Sequence, residues 1–260
     1  MSAAVGNVNW IGLYTICKRE TWRFLKVSNQ TILSPVVTTL LYLAIFSLAM
    51  GGASHTVEGV PFSQFIAPGL IMMAVVQNAF ANSSSSLMLS KIQGVIIDLI
   101  MPPITAAELA IGLVTGGLIR GFLVGVAVTA AVACFVPVQF AHPGLAVFYI
   151  VACSIMLALI GVLTGIWAQT FDQLAVMTNY IITPLAFLSG TFYSVKQLPG
   201  IWHDISHWNP FFYMIDGFRY SMIGVHDGSV AIGIATLVGV NVVLWLSVHF
   251  MLARGYRLKS

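Results

Sequence analysis

Residues 90–104 read SKIQGVIIDLIMPPI, an oily stretch that nevertheless carries Lys91 and Asp98 and halts at Pro102-Pro103. Whether it crosses a membrane or lies beside one decides the fold. From Lys91 to Met101 it offers about eleven helical residues, roughly 16 Å, about half of what a ~30 Å hydrocarbon core requires. It is too short to span. Ile92, Val95, Ile96 and Leu99 recur at i, i+3, i+4 and i+7, with Lys91, Gly94 and Asp98 on the opposite face. Ser90 is placed to cap the start, and Pro102 forces the end. The pattern predicts one short amphipathic helix over 90–101 that lies across a membrane surface.

The rest of the chain supplies the membrane. Hydrophobic residues make up 58% of the 260 and charged residues 7%, against about 25% charged in an ordinary soluble domain. In lipid only helices and closed barrels satisfy the backbone, and these apolar runs are continuous rather than alternating, so an all-α polytopic membrane protein is expected. Runs bounded by charge, Pro or Gly place six spans near 31–50, 65–86, 106–136, 144–168, 174–193 and 229–252, all in one transmembrane domain over 1–260. The first run exceeds a signal-peptide core and is read as a retained span. The run Ser83–Ser86 reads as the terminus of the second span. The third span is too long, about 46 Å at 1.5 Å per residue, so its first turns with Glu108 are expected in water. Three scattered cysteines, Cys17, Cys134 and Cys153, make no disulfide framework.

An even number of spans puts both termini on one side. Lys18, Arg19, Arg23, Lys26, Lys91, Arg254, Arg257 and Lys259 gather there, against Lys196 and Arg219 opposite, so the positive-inside rule makes the termini cytoplasmic. His55, His142, His203, His207 and His226 then lie outside. Before the first span, residues 9–27 set Trp10, Leu13, Tyr14, Cys17, Thr21, Phe24 and Leu25 along one helical side, and Arg19, Arg23 and Lys26 along the other. That is a basic amphipathic helix lying in the cytoplasmic interface with its cations near anionic headgroups.

Residues 191–227 are too aromatic for a plain loop and too polar for a span. Asn209-Pro210 reads as an N-cap followed by Pro at the first helical position. Phe211, Met214, Ile215, Phe218 and Met222 then form an apolar stripe, flanked by Asp216 and Arg219 at a spacing that would let them pair. A second short helix over Pro199–His207 precedes it. Together they predict a re-entrant helical hairpin over 197–223 that dips into the outer interface.

These features converge on a family. Six spans, the basic helix before the first, the short helix ending in Pro after the second, and LSGTFYSVKQLPGIWHDISHWNPFFYMIDGFRY at 188–220 resemble the permease subunits of ABC-2 type exporters. FIAPGLIMM at 65–73, TFDQL at 170–174 and the terminal ARGYRLKS are similar to the same family. The resemblance implies a half-transporter in a bacterial cytoplasmic (inner) membrane. Two permeases, here a homodimer joined through the first and fifth spans, would sit above two separate P-loop ATPase subunits that hold ATP and Mg. This chain itself would bind no cofactor and no metal, and would contact membrane lipids but not nucleic acid. The 90–101 helix resembles the coupling helix that touches the ATPase, with Lys91, Ile92, Val95, Ile96, Asp98 and Leu99 as docking residues. Where that family often has two acidic residues before the Pro, this chain has Ile97-Asp98.

What is missing agrees with that division of labour. No GxxxxGK[ST] cradles a nucleotide here, and no HExxH or GxSxG offers an enzyme site. The alternative, an ion-coupled secondary transporter or channel, would need acids at span centres, and none lies there. Arg120 is the one charge well inside a span. An intramembrane cation costs about 3 kcal/mol or more, so it must face a cavity, a partner or a nearby interface. Asn78 and Asn179 join it as residues of a candidate substrate path, while Gln77, Asn82 and Asn241 suit interhelical hydrogen bonds equally. Gly112, Gly116, Gly117, Gly121 and Gly125 on the third span and Gly161 and Gly165 on the fourth mark close-packing seams. Pro184 interrupts the fifth span, and His203 and His207 share the i, i+4 spacing of a metal pair but lack an evident third ligand. Cargo class, whether drug, lipid or glycan, is open at this point.

Overall fold

The computed structural model describes residues 8–49 and 56–256. In chain order it has α1 (Trp10–Leu25), a π-helical turn (Asn29–Leu33) running into α2 (Ser34–Ala49), strands β1 (Thr56–Val57) and β2 (Val60–Pro61), α3 (Phe62–Ile92), α4 (Ile96–Ile100), α5 (Ala106–Ala133) and α6 (Pro143–Trp167). Then come α7 (Phe171–Met177), a second π turn (Thr178–Ile182), α8 (Thr183–Leu188), a 3-10 turn (Val195–Gln197), α9 (Ile201–Trp208), α10 (Pro210–Ile223) and α11 (Val230–Ala253). His55, Arg257 and Lys259 lie outside the described residues.

Among the described residues, five helical runs are long and apolar enough to cross a membrane: Asn29–Ala49, Phe62–Ile92, Ala106–Ala133, Pro143–Trp167 and Val230–Ala253. The run expected near 174–193 is instead segmented, from α7 through the π turn to α8, and ends at Leu188. Pro184 sits in the first turn of α8, directly after the widened π turn. A proline lacks its N–H and crowds the preceding turn, and a π-helical widening is one way a helix absorbs that.

α3 is the axis of the bundle and packs against α2, α5, α6 and α10. Its most apolar window is 83% buried, against 11% for α2 and for α11, which line the periphery. Its composition explains the position. Ser83–Ser86, expected to end the helix, lie inside it, which runs on to Ile92, and Ser83, Ser84, Ser86 and Ser90 are buried. Ser84 Oγ donates to Phe80 O at 2.8 Å and Ser90 Oγ to Ser86 O at 2.9 Å within the helix, whereas Ser83 Oγ donates to Leu113 O of α5 at 3.3 Å. Small side chains then let two other backbones approach. A Cβ on Gly117 of α5 would fall 2.5 Å from Ser83 Oγ and 2.6 Å from Ala158 Cβ, and one on Gly161 of α6 would fall 2.7 Å from Phe80 O. The glycine seams are therefore contacts within the chain, a dispersion-driven packing suited to lipid.

One end of the bundle gathers α1, α4, the start of α5 and the ends of α3, α6 and α11 around Ile16, Leu87, Ile96, Leu99, Leu109 and Val248. Glu108 is not in water. It is buried beneath α1 and closes a capping box: its Oε2 accepts from Thr105 N at 2.7 Å, and its Oε1 accepts from Asn9 N at 2.6 Å. A carboxylate at a helix N-terminus, ringed by backbone donors, no longer needs solvent. At the opposite end lie α9, α10 and a β-hairpin whose tip, Glu58-Gly59, has φ of 51° and 80°, as a mirror-image two-residue turn requires. Nothing in the sequence reading anticipated that hairpin.

Candidate functional site

The stretch at 90–104 is an elbow rather than one helix. α3 continues through Ser90, Lys91 and Ile92, the chain reverses at Gly94 with φ of 70°, and α4 is only Ile96–Ile100 before Pro102-Pro103. Ser90 caps nothing here, because it lies inside α3 and accepts from Arg19 Nη2 at 3.0 Å. The break rotates the expected stripe apart. Ile96 and Leu99 are buried in the core, whereas Ile92, Val95, Ile97 and Met101 are exposed, and Asp98 lies beside them. Lys91 reaches across to α6 and donates to Ile166 O and Ala168 O, satisfying carbonyls at that helix's C-terminus. The elbow thus presents an apolar, singly acidic knuckle fixed to three bundle helices.

α1 is turned relative to its expected pose. Trp10, Ile11, Tyr14 and Trp22 are exposed, while Ile16, Glu20 and Phe24 are buried. Arg19 and Arg23 point into the bundle rather than to headgroups, because α3 offers acceptors there. Arg23 Nη2 donates to Asn82 O at 2.6 Å and Asn82 Oδ1 at 3.0 Å, and Glu20 accepts from Ser86 Oγ at 2.8 Å. Glu20 pairs with Arg23 at 3.5 Å and Arg19 at 3.7 Å. Burial holds the Arg23 pKa below its ordinary value, and the Glu20 carboxylate opposes that shift.

One turn further along α3, Asn78 does for Arg120 what Asn82 does for Arg23. Asn78 Nδ2 donates to Ala74 O at 3.0 Å, which fixes the amide, and its Oδ1 accepts from Arg120 Nε at 3.2 Å and Nη2 at 2.8 Å. Arg120 therefore turns inward instead of reaching for an interface. Both residues line a notch of about 620 Å³ between α2, α3, α5 and the segmented α7–α8 helix, and Asn179 lines it too. The three intramembrane polar residues singled out from the sequence thus share one cavity. The two π turns flank it, the first contributing Gln30 and Thr31 and the second Thr178 and Asn179. π turns recur at functional sites because they re-aim side chains out of helical register.

At the other end the expected hairpin exists, joined at Asn209-Pro210. Asn209 Oδ1 accepts from Phe211 N at 3.0 Å, and its Nδ2 donates to Leu185 O at 3.0 Å and Ser189 Oγ at 2.8 Å. The apolar stripe from Phe211 to Met222 is buried against α3, α6 and α11. Asp216 and Arg219 do not pair. Asp216 accepts from Asp227 N at 2.7 Å and Gly228 N at 2.9 Å, whereas Arg219 stacks 4.1 Å from the Phe65 ring and donates to Phe65 O and Gly190 O. Each serves the backbone of a different loop, which satisfies both charges without a shared bond. The His203 and His207 rings lie 4.4 Å apart, and no group of three metal-capable side chains occurs among the described residues.

Sequence reasoning missed Glu20, the centre of the α1 network, and the hydroxyl lining of the notch. A signal for the latter was present: Ser34, Thr38 and Tyr42 recur every four residues on α2, and Asn179 in the second π turn and Thr183 at the start of α8 keep the same spacing. Their side chains are neutral, so hydropathy alone does not set them apart.

Comparison with known proteins places this arrangement. The chain is 38% identical over 251 residues to the inner membrane transport permease YadH of Escherichia coli K12, covering 96% of this chain and 98% of that one. It is 23% identical over 235 residues to nodulation protein J of Sinorhizobium fredii, covering 88% and 87%, and 24% identical over 229 residues to nodulation protein J of Rhizobium meliloti, covering 85% and 84%. Residues 12–223, from the first turn of α1 to the last residue of α10, match the family model for ABC-2 type transporters. With this match over most of its length, the chain belongs to the ABC-2 type transporter family.

Proposed function

We propose that this protein is the permease subunit of an ATP-driven exporter in a bacterial inner membrane, moving substrate by rearranging its helices while a separate ATPase hydrolyses ATP with Mg. Membership of the family implies the partnering ATP-binding subunit, and the relative in Escherichia coli is by name an inner membrane permease. The observation that carries the reading is the elbow. Ile92, Val95, Ile97 and Met101 are apolar yet exposed on a short helix fixed by Ile96 and Leu99 into the core and by Lys91 to α6. A push on that knuckle would reach α3, α5 and α6 together. Lys18, Arg19, Arg23, Lys26, Lys91 and Arg254 share its end of the bundle, which by the positive-inside rule faces the cytoplasm and the ATPase. Lys91, Ile96 and Leu99 then position the docking surface, and Asp98 with Ile92 and Val95 touches the partner. The sixth crossing is the segmented α7–α8 helix. α2 and that helix, with exposed Leu41, Ile45, Tyr180 and Ile181, would face a second copy, so that two notches oppose one another.

The test separates docking from folding. Ile97→Asp and Asp98→Arg alter exposed positions, and substitutions there change stability by about 0.5 kcal/mol or less. Each is expected to weaken co-purification of the ATPase about tenfold or more, as loss of an interface anchor does, and to uncouple hydrolysis from transport. Ile96→Asp instead is expected to lower stability, because Ile96 is buried. Normal co-purification and transport by both Ile97→Asp and Asp98→Arg would remove the docking assignment.

A further inference from the structure

We propose that the notch binds the anionic head of an amphiphile, a phosphate or carboxylate on an apolar chain, and that Arg120 selects for that charge. This rests on the permease reading and names the substrate class of the same cavity. Arg120 lies at the middle of α5, roughly 20 Å of helix from either end at 1.5 Å per residue, so its charge is committed to the notch. Arg23 has Glu20, but none of the ion pairs among the described residues includes Arg120. Among the described residues the neighbouring charge that bears on it is Arg23, of the same sign. Asn78 occupies Nε and Nη2 with a neutral acceptor and leaves the Nη1 donors without a protein acceptor among the described residues. A guanidinium so placed lacks its counter-ion, and a planar fork of N–H donors matches carboxylate and phosphate.

The remaining lining fits the rest of such a molecule. Thr38, Tyr42, Gln77 and Asn179 offer neutral hydroxyl and amide groups, with no carboxylate among the described lining residues to repel an anion, and Leu70 and Met73 offer apolar surface for a chain. A volume of about 620 Å³ lies within the usual range for small-molecule sites, about 300–1,000 Å³. A cationic amphiphile would meet the like charge of Arg120 in the same place.

The full chain, with Cys17 and Cys134 replaced by serine, Cys153 by alanine, and Thr183→Cys as reporter, would be reconstituted in phosphatidylcholine nanodiscs. Maleimide labelling of the reporter would then be followed with decyl phosphate, decanoate, decanol or decyltrimethylammonium added. Decyl phosphate or decanoate is expected to protect at about tenfold lower concentration than decanol, about 1.4 kcal/mol, with decyltrimethylammonium the weakest. Arg120→Gln is expected to abolish that order and Arg120→Lys to keep it. Equal protection by all four, protection by none, or an unchanged order in Arg120→Gln overturns the proposal. Should Arg120→Gln fail to fold, the order of the four probes on the unmutated arginine decides. ATPase co-purification is read separately, so loss of anion preference with the partner still bound rejects this inference and leaves the permease reading in place.

Discussion

Replacing Glu20 with alanine tests whether α1 is clamped to the bundle or merely floats beside it. The carboxylate has no exposed surface, sits 3.5 Å from the Arg23 guanidinium and 3.7 Å from that of Arg19, and accepts from Ser86 Oγ at 2.8 Å. Two unit charges at that first distance attract by about 5 kcal/mol at an effective dielectric of about 20. Arg23 and Arg19 keep 25% and 38% of their side-chain surface exposed, so solvent screens a good part of this. Roughly half survives, about 2–3 kcal/mol, just below the 3–5 kcal/mol typical for breaking a fully buried pair. At about 2–4 °C per kcal/mol for a chain of this size, Glu20→Ala should lower the melting temperature by about 5–10 °C. Tryptophan fluorescence in nanodiscs would read it directly, since Trp10 and Trp22 lie on α1 itself. Combining it with Arg23→Met should recover most of the loss, because the stranded charge goes too. A Glu20→Ala protein that melts within about 1 °C of the parent would refute the clamp, since removing a buried partner should exceed the ordinary scatter of surface changes.

Two further expectations follow from packing and capping. Gly117→Val would drive a branched side chain into Ser83 and Ala158, and overpacking costs about 1–3 kcal/mol, so a melting temperature at or above that of the parent would show that the α3–α5 seam is loose. Asn209→Ala removes the α10 cap, worth about 1 kcal/mol, and two further hydrogen bonds worth about 1 kcal/mol each, whereas Asn209→Asp keeps the cap. Faster amide exchange across Pro210–Ile223 in the alanine variant, partly restored in the aspartate variant, is the expected readout, and identical exchange in all three would reject the cap's role.

Much of the architecture could be read from residue patterns alone. The long apolar runs fix helices because lipid offers the backbone no other partner, and Asn209-Pro210 fixes the join of the α9–α10 hairpin through local capping chemistry that needs no distant contact. Small residues at four-residue spacing announced close seams without saying which helices would share them. The elbow was half legible: Pro102 ends it as expected, but the break at Gly94 splits the predicted helix and sends Ile96 inward and Ile97 outward.

What periodicity cannot supply is the identity of the surface that each face meets. Glu20 had drawn no notice as one acid on a basic helix, and only the fold brings Ser86, 66 positions away, within 2.8 Å. Glu108 looked solvated until Asn9, 99 positions away, covered it. Arg120, Asn78 and Asn179 were three separate polar residues in the sequence, and only the packing of α3 against α5 and the π turn between α7 and α8 drew them around one notch. Secondary structure and membrane insertion answer to local chemistry and the solvent, and these the chain carries in its order of residues. Counter-charges, buried caps and cavities answer to partners brought from far along the chain, so the tertiary structure alone decided them.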